Sequence, residues 1–571
     1  MRLIRINVKT KEIKSETLPE KYKIHGGREL TSSIIHDEVD PKTNPLGRGN
    51  KLVIATGMLA GTPAPNFSRT SVGAKSPLTE GIKETNVGGK FAFFLGHHDI
   101  RAIIIEEKSE EFNHVIIKDD SVVLEDATDD KFLGNYELAS KLIQERGKNI
   151  AIMCIGPAGA HLMNLASIAA TDLQDHPSRH AGRGGLGAVM GSKGIKSIIL
   201  HKRTPSLIEY KDKRTFLDIS KEWSMKMKKG KAGFSRLGTP MTIGTSQTLQ
   251  GWPTKNFSRG TFDDVEKMDG NALHELIIER KGRYGIPCLP GCAIQCSNLF
   301  IGPDGTHVTS GLEYESMTLY GSNLLISDLD DLARFDRQCD DLGVDTIEFG
   351  GMVGMLMEAG EFQFGNKEAI YQVFKEIRAG SEKGKFYGMG MYRVGKKLGV
   401  KRIPAVKKQG LAAYDPRTYK AMGVTMATSP MGADHTAGAA IYKRPGIDPT
   451  ADYGDVFENR EKLRLSFELQ ILNGTCDMLG CCYFVGPSID TLERVSNLIK
   501  ARYGWSITKD DFLSKSKQML KKELEFNEKA GITKEDNRLA DFFYNEILPP
   551  SGRIWDIPAK ELEDFWKNKL D

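Results

Sequence analysis

"SDLDDLARFDRQCDDLGVD", residues 327 to 345, spells out a helix with its own start and stop. Leu329, Leu332, Phe335, Cys339 and Leu342 recur at three- and four-residue intervals and so share one face at the helical repeat. Ser327 and Asp330 have the spacing of a capping pair, and Gly343 stands where the chain can turn into left-handed backbone and leave the helix. The end of this helix carries the frame D-x-x-G-x-D, made of Asp340, Gly343 and Asp345. A carboxylate one turn before the glycine and a polar group just after it present acceptors and free backbone groups around a small pocket. A flat heterocycle rich in N–H donors fits such a pocket. "CDMLGCC", residues 476 to 482, repeats the frame as D-x-x-G-x-C with Asp477, Gly480 and Cys482. Two frames predict two equivalent heterocycles, and the cysteine of the second can also ligate a metal cluster beside its ring.

Helical texture extends from about residue 206 to the tail, where "SIDTLERVSNLIKARYG" and "KSKQMLKKELEFNEKAG" keep the same period. Upstream, "RAIIIEEKS", "HVIIKDDSVVLEDA", "KNIAIMCIG" and "KSIILHKR" are short β-branched runs separated by glycine-rich connectors. The expected class is α+β, with a β-rich N-terminal domain over residues 1–205 followed by two mostly helical domains over 206–407 and 408–571. A chain of 571 residues is too long for one core, which agrees with several domains. The opening "MRLIRINVKTKEIKSE" alternates apolar and polar residues as an edge strand does, and no short-period repeat or low-complexity tract is visible.

Lysine plus arginine exceed aspartate plus glutamate by only four, without a long basic block, so no nucleic-acid partner is expected. No apolar run approaches the ~18 residues of a membrane span, and the start lacks the apolar region of a secretory signal. The expected location is the cytoplasm. The cysteines number eight and are clustered, which suits metal binding in a reducing compartment better than a disulfide scaffold. Cys288, Cys292 and Cys296 in "CLPGCAIQC" can aim three thiolates at one point. Cys154 and Cys339 sit in apolar segments and read as buried small hydrophobes. Four thiolates suit zinc or iron–sulfur, and a compact triplet with a remote fourth cysteine favours a cubane cluster. Gly182, Gly184 and Gly187 spell G-x-G-x-x-G, but "DLQDHPSRHA" precedes them instead of a buried strand, and a strand is expected where a helix should open. A dinucleotide site is therefore not expected.

The long segments "NKLVIATGMLAGTPAPNFSRTSVGAKSPLTEGIKETNVGGKF", "AGRGGLGAVMGSKGIKSI", "GLEYESMTLYGSN", "CDDLGVDTIEFGG", "GADHTAG" and "DMLGCC" together resemble the tungsten-dependent aldehyde ferredoxin oxidoreductase family over nearly the whole chain. The resemblance implies a tungsten (or molybdenum) atom held by two pterins, a magnesium ion between the pterin phosphates, and one [4Fe–4S] cluster. The N-terminal domain would form the base on which the pterins lie. Cys288, Cys292, Cys296 and Cys482 would bind the cluster; Asp340, Gly343 and Asp345 would bind one pterin, and Asp477 with the backbone of Cys481 the other. Arg69, Asn86 and Gly88 match base positions touching pterins and phosphates, as does the loop Ala181, Gly182, Arg183, Gly184 and Gly185. Glu313 and His435 match the two polar residues beside the metal, and would act in general acid–base and hydrogen-bonding roles.

The implied reaction oxidises an aldehyde to a carboxylic acid with water as the oxygen source. Electrons would pass through the cluster to ferredoxin or another iron–sulfur protein. A ring reductase acting on aryl- or acyl-CoA with the same cofactors is the alternative reading, and a non-catalytic zinc-bound binding protein is the alternative of another class. Two departures stand out. Three residues separate Cys288 from Cys292 where the family usually has two, and no histidine lies between His307 and His435, so a single iron at a dimer interface is not expected. A homodimer without that iron is compatible with the sequence.

Overall fold

The computed structural model describes residues 1–570. Its first 201 residues form two six-stranded sheets. The first is built from β1 (Arg2–Asn7), β2 (Glu12–Thr17), α1 (Gly27–Glu38), β3 (Leu52–Thr56), β4 (Thr70–Lys75), β5 (Ile82–Val87), α2 (Phe91–His97) and β6 (Ile100–Glu106). The second is built from β7 (Asn113–Lys118), β8 (Ser121–Asp126), α3 (Asn135–Arg146), β9 (Ile150–Cys154), β10 (Ile168–Ala170), β11 (Arg179–Ala181), α4 (Leu186–Ser192) and β12 (Ile195–His201). Strand order is β2-β1-β6-β3-β4-β5 in one and, read in the matching direction, β8-β7-β12-β9-β10-β11 in the other. Each sheet has a parallel pair, β1 with β6 and β7 with β12, and is otherwise antiparallel. The second half thus repeats the first, element for element.

Alternation along the strands explains how the halves pack. Ile4, Ile6, Ile54 and Ile103 of one sheet share an apolar cluster with Val115, Ile117, Ala151 and Ile198 of the other. Their sequence neighbours point outward. Leu3, Val53 and Ile104 lie under Leu30 and Ile34 of α1, and Ile116, Ile152 and Ile199 lie under Leu138 and Leu142 of α3. Central strands covered on both faces become continuous β-branched runs, which is why they are recognisable in the sequence.

Two expectations for this region fail. The opening segment is a hairpin: β1 pairs with both β2 and β6, and the polar β2, not β1, is the edge strand on that side. The glycine-rich loop after Ala181 is followed by helix α4, not directly by a strand, and a short strand, β11, precedes it. A dinucleotide crossover is still absent there, since β11 and β12 are neither adjacent nor parallel.

Beyond residue 201 come α5 (Lys213–Gly230), α6 (Ala232–Leu237), a small sheet of β13 (Arg283–Ile286), β14 (Ser297–Ile301) and β15 (His307–Ser310), then α7 (Leu329–Leu342), α8 (Thr346–Glu358), α9 (Lys462–Leu479), α10 (Ile489–Tyr503) and α11 (Lys509–Ala530). Helix α7 ends at Gly343 with φ 69°, as expected, but its cap is Asp328, whose carboxylate accepts from Asp331 N–H. Ser327 instead donates to Asp264, and Asp330 pairs with Arg280. Both capping candidates were acidic-rich and one residue apart, so spacing alone chose wrongly.

The two glycine-ended helices seat on the two halves of the duplicated base. At α9, Arg69 N–H donates to Gly480 O (3.0 Å), and a Cβ on Gly57 would lie 1.9 Å from Leu479 O. At α7, Ser167 N–H donates to Gly343 O (2.8 Å), and a Cβ on Gly156 would lie 2.3 Å from Leu342 O. Arg69 precedes β4 and Ser167 precedes β10, so the two contacts occupy equivalent places in the repeat. Glycine is required at 57 and 156 because a side chain would collide with the incoming carbonyl.

Candidate metal and cofactor site

Between the base and the helices lies a cavity of about 370 Å³. Arg69, Asn86, Gly88, Gly182 and Arg183 of the base line it, as do Cys288, Cys296, Glu313, Asp340, Asp345, His435, Asp477 and Cys482. Every part of the chain that carries a predicted site residue reaches this space.

Cys288, Cys292 and Cys296 occupy the connection between β13 and β14, and Cys482 follows the end of α9. Asn66, in left-handed backbone at φ 68°, ties the two segments together. Its N–H donates to Gly291 O (3.1 Å), its Oδ1 accepts from Ala293 N–H (2.9 Å), its Nδ2 donates to Cys292 Sγ (3.5 Å), and its carbonyl accepts from Cys482 N–H (2.9 Å). The hydrogen bond to Cys292 and then burial push the Cys288 thiol well above its ordinary range. Burial does the same to Cys296 and lifts Cys482 to about 11, against the pull of Arg69. Cys292 is lowered, because it accepts from Cys288 and from Gln295 N–H. Loading a metal group must displace protons from these thiols. Among the described residues no three His, Cys, Asp or Glu side chains stand close enough to hold a single metal ion. Cys288, Cys296 and Cys482 line the cavity, and Cys292 stands behind them against Cys288.

The two aspartate frames are held by different partners. Asp477 receives Arg28 (3.1 Å) and Asn86 Nδ2 (3.3 Å), and burial still raises its carboxyl to about 6. Arg28 is itself locked by Glu523 of α11 at 3.0 and 2.8 Å. Asp340 lies 3.1 Å from His180 Nε2, and His180 Nδ1 is 2.8 Å from Ser167 Oγ. Asp345 caps α8 by accepting Ile347 N–H (3.0 Å), while Arg183 Nε approaches its other oxygen at 3.4 Å. Glu84, another buried lining residue, is raised to about 8 by burial and then by Asp477.

Glu313 and His435 both line the cavity but do not face each other. Glu313 Oε2 accepts from Thr239 Oγ1, with Arg179 Nη1 3.9 Å from its other oxygen, and burial raises its carboxyl. His435 instead lies 3.3 Å from Glu315, whose other oxygen accepts Ala413 N–H (2.7 Å). Lys83 and Arg183 fix the segment before it: Lys83 Nζ donates to Met431 O (2.9 Å), and Arg183 to Ala433 O. With His435, these cations hold the buried Asp434 carboxyl well below the usual range.

Of the remaining predicted residues, Ala181, Gly184, Gly185, Gly343, Cys292 and Cys481 stand behind the lining side chains. Gly184 O accepts from Ser76 Oγ, Gly185 starts α4, and Cys481 N–H donates to Cys476 O. Asn66, Glu84, Arg179, His180 and Glu315 were not picked out in the sequence. Glu315 had a signal, as the second carboxylate of "EYE" in line with Glu313. Asn66 had none, because its role depends on a backbone turn. Glu84 Oε1, Arg179 Nε and His435 Nδ1 are buried without hydrogen-bond partners, as expected of a surface shaped for a polar occupant.

Two family models match, described as aldehyde ferredoxin oxidoreductase N-terminal domain over residues 3–202 and aldehyde ferredoxin oxidoreductase domains 2 and 3 over residues 218–567. Tungsten-containing aldehyde ferredoxin oxidoreductases of Thermococcus kodakarensis and Pyrococcus furiosus are each 32% identical, over 96% of this chain and 92% of theirs. An aliphatic sulfonate oxidoreductase WOR-like subunit of Pyrococcus furiosus is 28% identical over 77% of this chain and 74% of its own. Among solved structures, the active site complex BamBC of benzoyl coenzyme A reductase shares the fold, with a TM-score of 0.82 at 19% identity, over 99% of this chain and 93% of that one.

Proposed function

The chain belongs to the aldehyde ferredoxin oxidoreductase family, and from that premise we propose that this enzyme oxidises an aldehyde to the carboxylic acid, with water supplying the oxygen, at a tungsten (or molybdenum) bis-pterin centre. The observation that carries the proposal is the convergence of both aspartate frames, the cluster cysteines and the His435–Glu315 pair on one cavity. The residues fit the implied groups. Residues lining the space carry buried polar atoms without partners, and the base offers Gly182, whose missing Cβ leaves nothing closer than 3.9 Å.

In this reading Asp340, Asp345 and Asp477 would accept from the N–H donors of two pterins, and Arg69, Asn86 and Arg183 would bind their polar tails, where a magnesium ion would balance phosphate charge. Cys288, Cys292, Cys296 and Cys482 would hold a [4Fe–4S] cluster. When bound, these groups supply two-electron acceptance and one-electron release to a ferredoxin-type partner. The protein's own contribution is proton handling and water exclusion. Glu315 and His435 sit where a proton leaving a hydrated aldehyde can be taken up, and Ala413 N–H keeps the carboxylate aimed. Glu313, its carboxyl raised by burial, lies on the thiol side of the cavity with Arg179 3.9 Å from one of its oxygens. Residues 1–205 serve as the base, and 206–407 and 408–571 each deliver one aspartate frame.

The test is metal analysis of anaerobically purified protein, followed by aldehyde-dependent reduction of benzyl viologen. One tungsten or molybdenum with about four irons and aldehyde-dependent dye reduction support the proposal. Zinc alone from a host able to supply tungsten and pterin refutes it, and dye chemistry with an aryl-CoA but no aldehyde moves the reaction to ring reduction.

A further inference from the structure

The thiol loop comes close to the surface at one place. Gly291, between Cys288 and Cys292, is exposed, although the cysteines beside it are largely covered. The element covering this loop is the pair α5 and α6. Trp223 and Met227 on the buried face of α5 share an apolar cluster with Leu289, Cys292, Ala293 and Ile294 of the loop. Ser235 of α6 donates to Ile294 O (2.6 Å), and a Cβ on Gly238 would lie 2.7 Å from Cys296 O. Phe234 packs on Phe484, two residues past Cys482, at 5.0 Å between ring centres.

The outward face of the same elements is basic. Between residues 221 and 236 the chain places Lys221, Lys226, Lys228, Lys229, Lys231 and Arg236 against one acidic residue, Glu222, which is occupied by Arg494 at 3.3 Å. Lys228, Lys229 and Arg236 are exposed and take part in no ion pair among the described residues. Met225, at 57% exposure, adds an apolar spot among these cations. Two lysines near a helix C-terminus are ordinary dipole partners. That accounts for Lys228 and Lys229, and for Arg236 in the last turn of α6, but not for Lys221, Lys226 and Lys231, nor for an exposed methionine among them. In a chain whose net charge is only +4 over 571 residues, such a cluster above the thiol loop is a local feature.

We propose that the exposed face of residues 221 to 236 is the docking surface for a small acidic electron-carrier protein, which receives electrons from the cluster across the thiol loop. This rests on the cluster assignment made above and adds where the carrier binds. Charge complementarity defines the partner: an acidic surface meets unpaired lysines, and Met225 offers a small apolar anchor. Steering of this kind speeds encounter by roughly 10–10³-fold at low ionic strength and fades when salt shortens the screening length.

The experiment compares the anaerobic holoenzyme with its K228E/K229E variant. Each is reduced with dithionite, freed of excess reductant, and mixed in stopped flow with an acidic 2[4Fe–4S] ferredoxin or with methyl viologen. This readout is independent of any aldehyde. At about 20 mM salt the variant should transfer to the ferredoxin at least ten times more slowly, should match wild type at about 1 M salt, and should reduce viologen normally. An unchanged ferredoxin rate at low salt, or an equal loss with viologen, overturns the proposal. So does sedimentation showing that the substitutions split a dimer, which would make the face a contact between copies. A wild-type protein with no reducible cluster overturns the cluster assignment itself, and with it the docking proposal, so the two failures are distinguishable.

Discussion

Nε2 of His435 lies 3.3 Å from Oε1 of Glu315, whereas Glu313, two residues earlier, turns to Thr239 and Arg179. Glu313 is the cap residue before the short helix Tyr314–Ser316, and the change from extended to helical backbone sends the two carboxylates to different walls of the cavity. Carboxylates at i and i+2 on a strand would have shared a side.

That divergence separates the roles of the two residues. Glu315→Gln should lower aldehyde oxidation by about 10²- to 10⁴-fold, the range of a lost general acid–base group, with tungsten and iron contents unchanged. Glu313→Gln should cost less, because Arg179 and Thr239 can still hold an amide. Viologen assays on both variants with metal analysis decide this, and an equal or reversed order would return the base role to Glu313.

Cys482→Ser should abolish the cluster signal in electron paramagnetic resonance and lower iron content. Asn66→Ala addresses the same cluster from outside the thiols. It removes the side-chain bonds to Ala293 and Cys292, leaving the Ala293 N–H buried and unpaired at a cost of about 1–3 kcal/mol. The Asn66 backbone bonds to Gly291 and Cys482 remain, and alanine strains the left-handed φ at this position. The cluster should therefore assemble but release iron to a chelator several times faster than wild type. Equal release rates would show that the side chain does not clamp the loop.

Arg28 joins the base to two distant helices, α9 through Asp477 and α11 through Glu523, and both Arg28 and Glu523 are shielded from water while Asp477 borders the cavity. Arg28→Ala would leave the Glu523 carboxylate buried with only Ser32 as a hydrogen-bond partner, at a cost of about 3–5 kcal/mol. Thermal unfolding should drop by several degrees. Arg28→Ala combined with Glu523→Ala should recover part of the loss, because no uncompensated charge is then buried.

The helix of residues 329–342 was legible to its last residue because apolar period and a glycine stop are local properties. The α+β class was legible for the same reason, through β-branched runs buried on both faces. The duplication of the base was not, since its halves share strand order and not side chains. The two D-x-x-G frames lie outside the base, and only their contacts show that they sit on equivalent places of its two halves. The hairpin of β1 and β2 and the helix α4 were missed where a turn carries weak punctuation, as at Thr10 and Lys11, or where glycines precede a helix of seven residues. Asn66, Glu84 and His180 matter through contacts with residues more than a dozen positions away, and one sequence carries no record of those.

Glu84 gives a pH test independent of catalysis. Its carboxyl is raised from an ordinary 4.5 to about 8 by burial and by Asp477, against Arg28. Below about 4.5 the folded and unfolded chains both hold this proton, and the residue adds no pH dependence. Between about 4.5 and 8 the unfolded chain has released it while the folded chain retains it, so stability falls as pH rises, levelling off above 8. Glu84→Gln cannot ionise and should lose that slope. In cofactor-free protein the unfolding temperature of the variant, relative to wild type, should rise on going from pH 5 to pH 9. A difference between the two proteins that stays constant across that range would mean that Glu84 ionises in the fold as it does in water, and that Arg28 outweighs its burial.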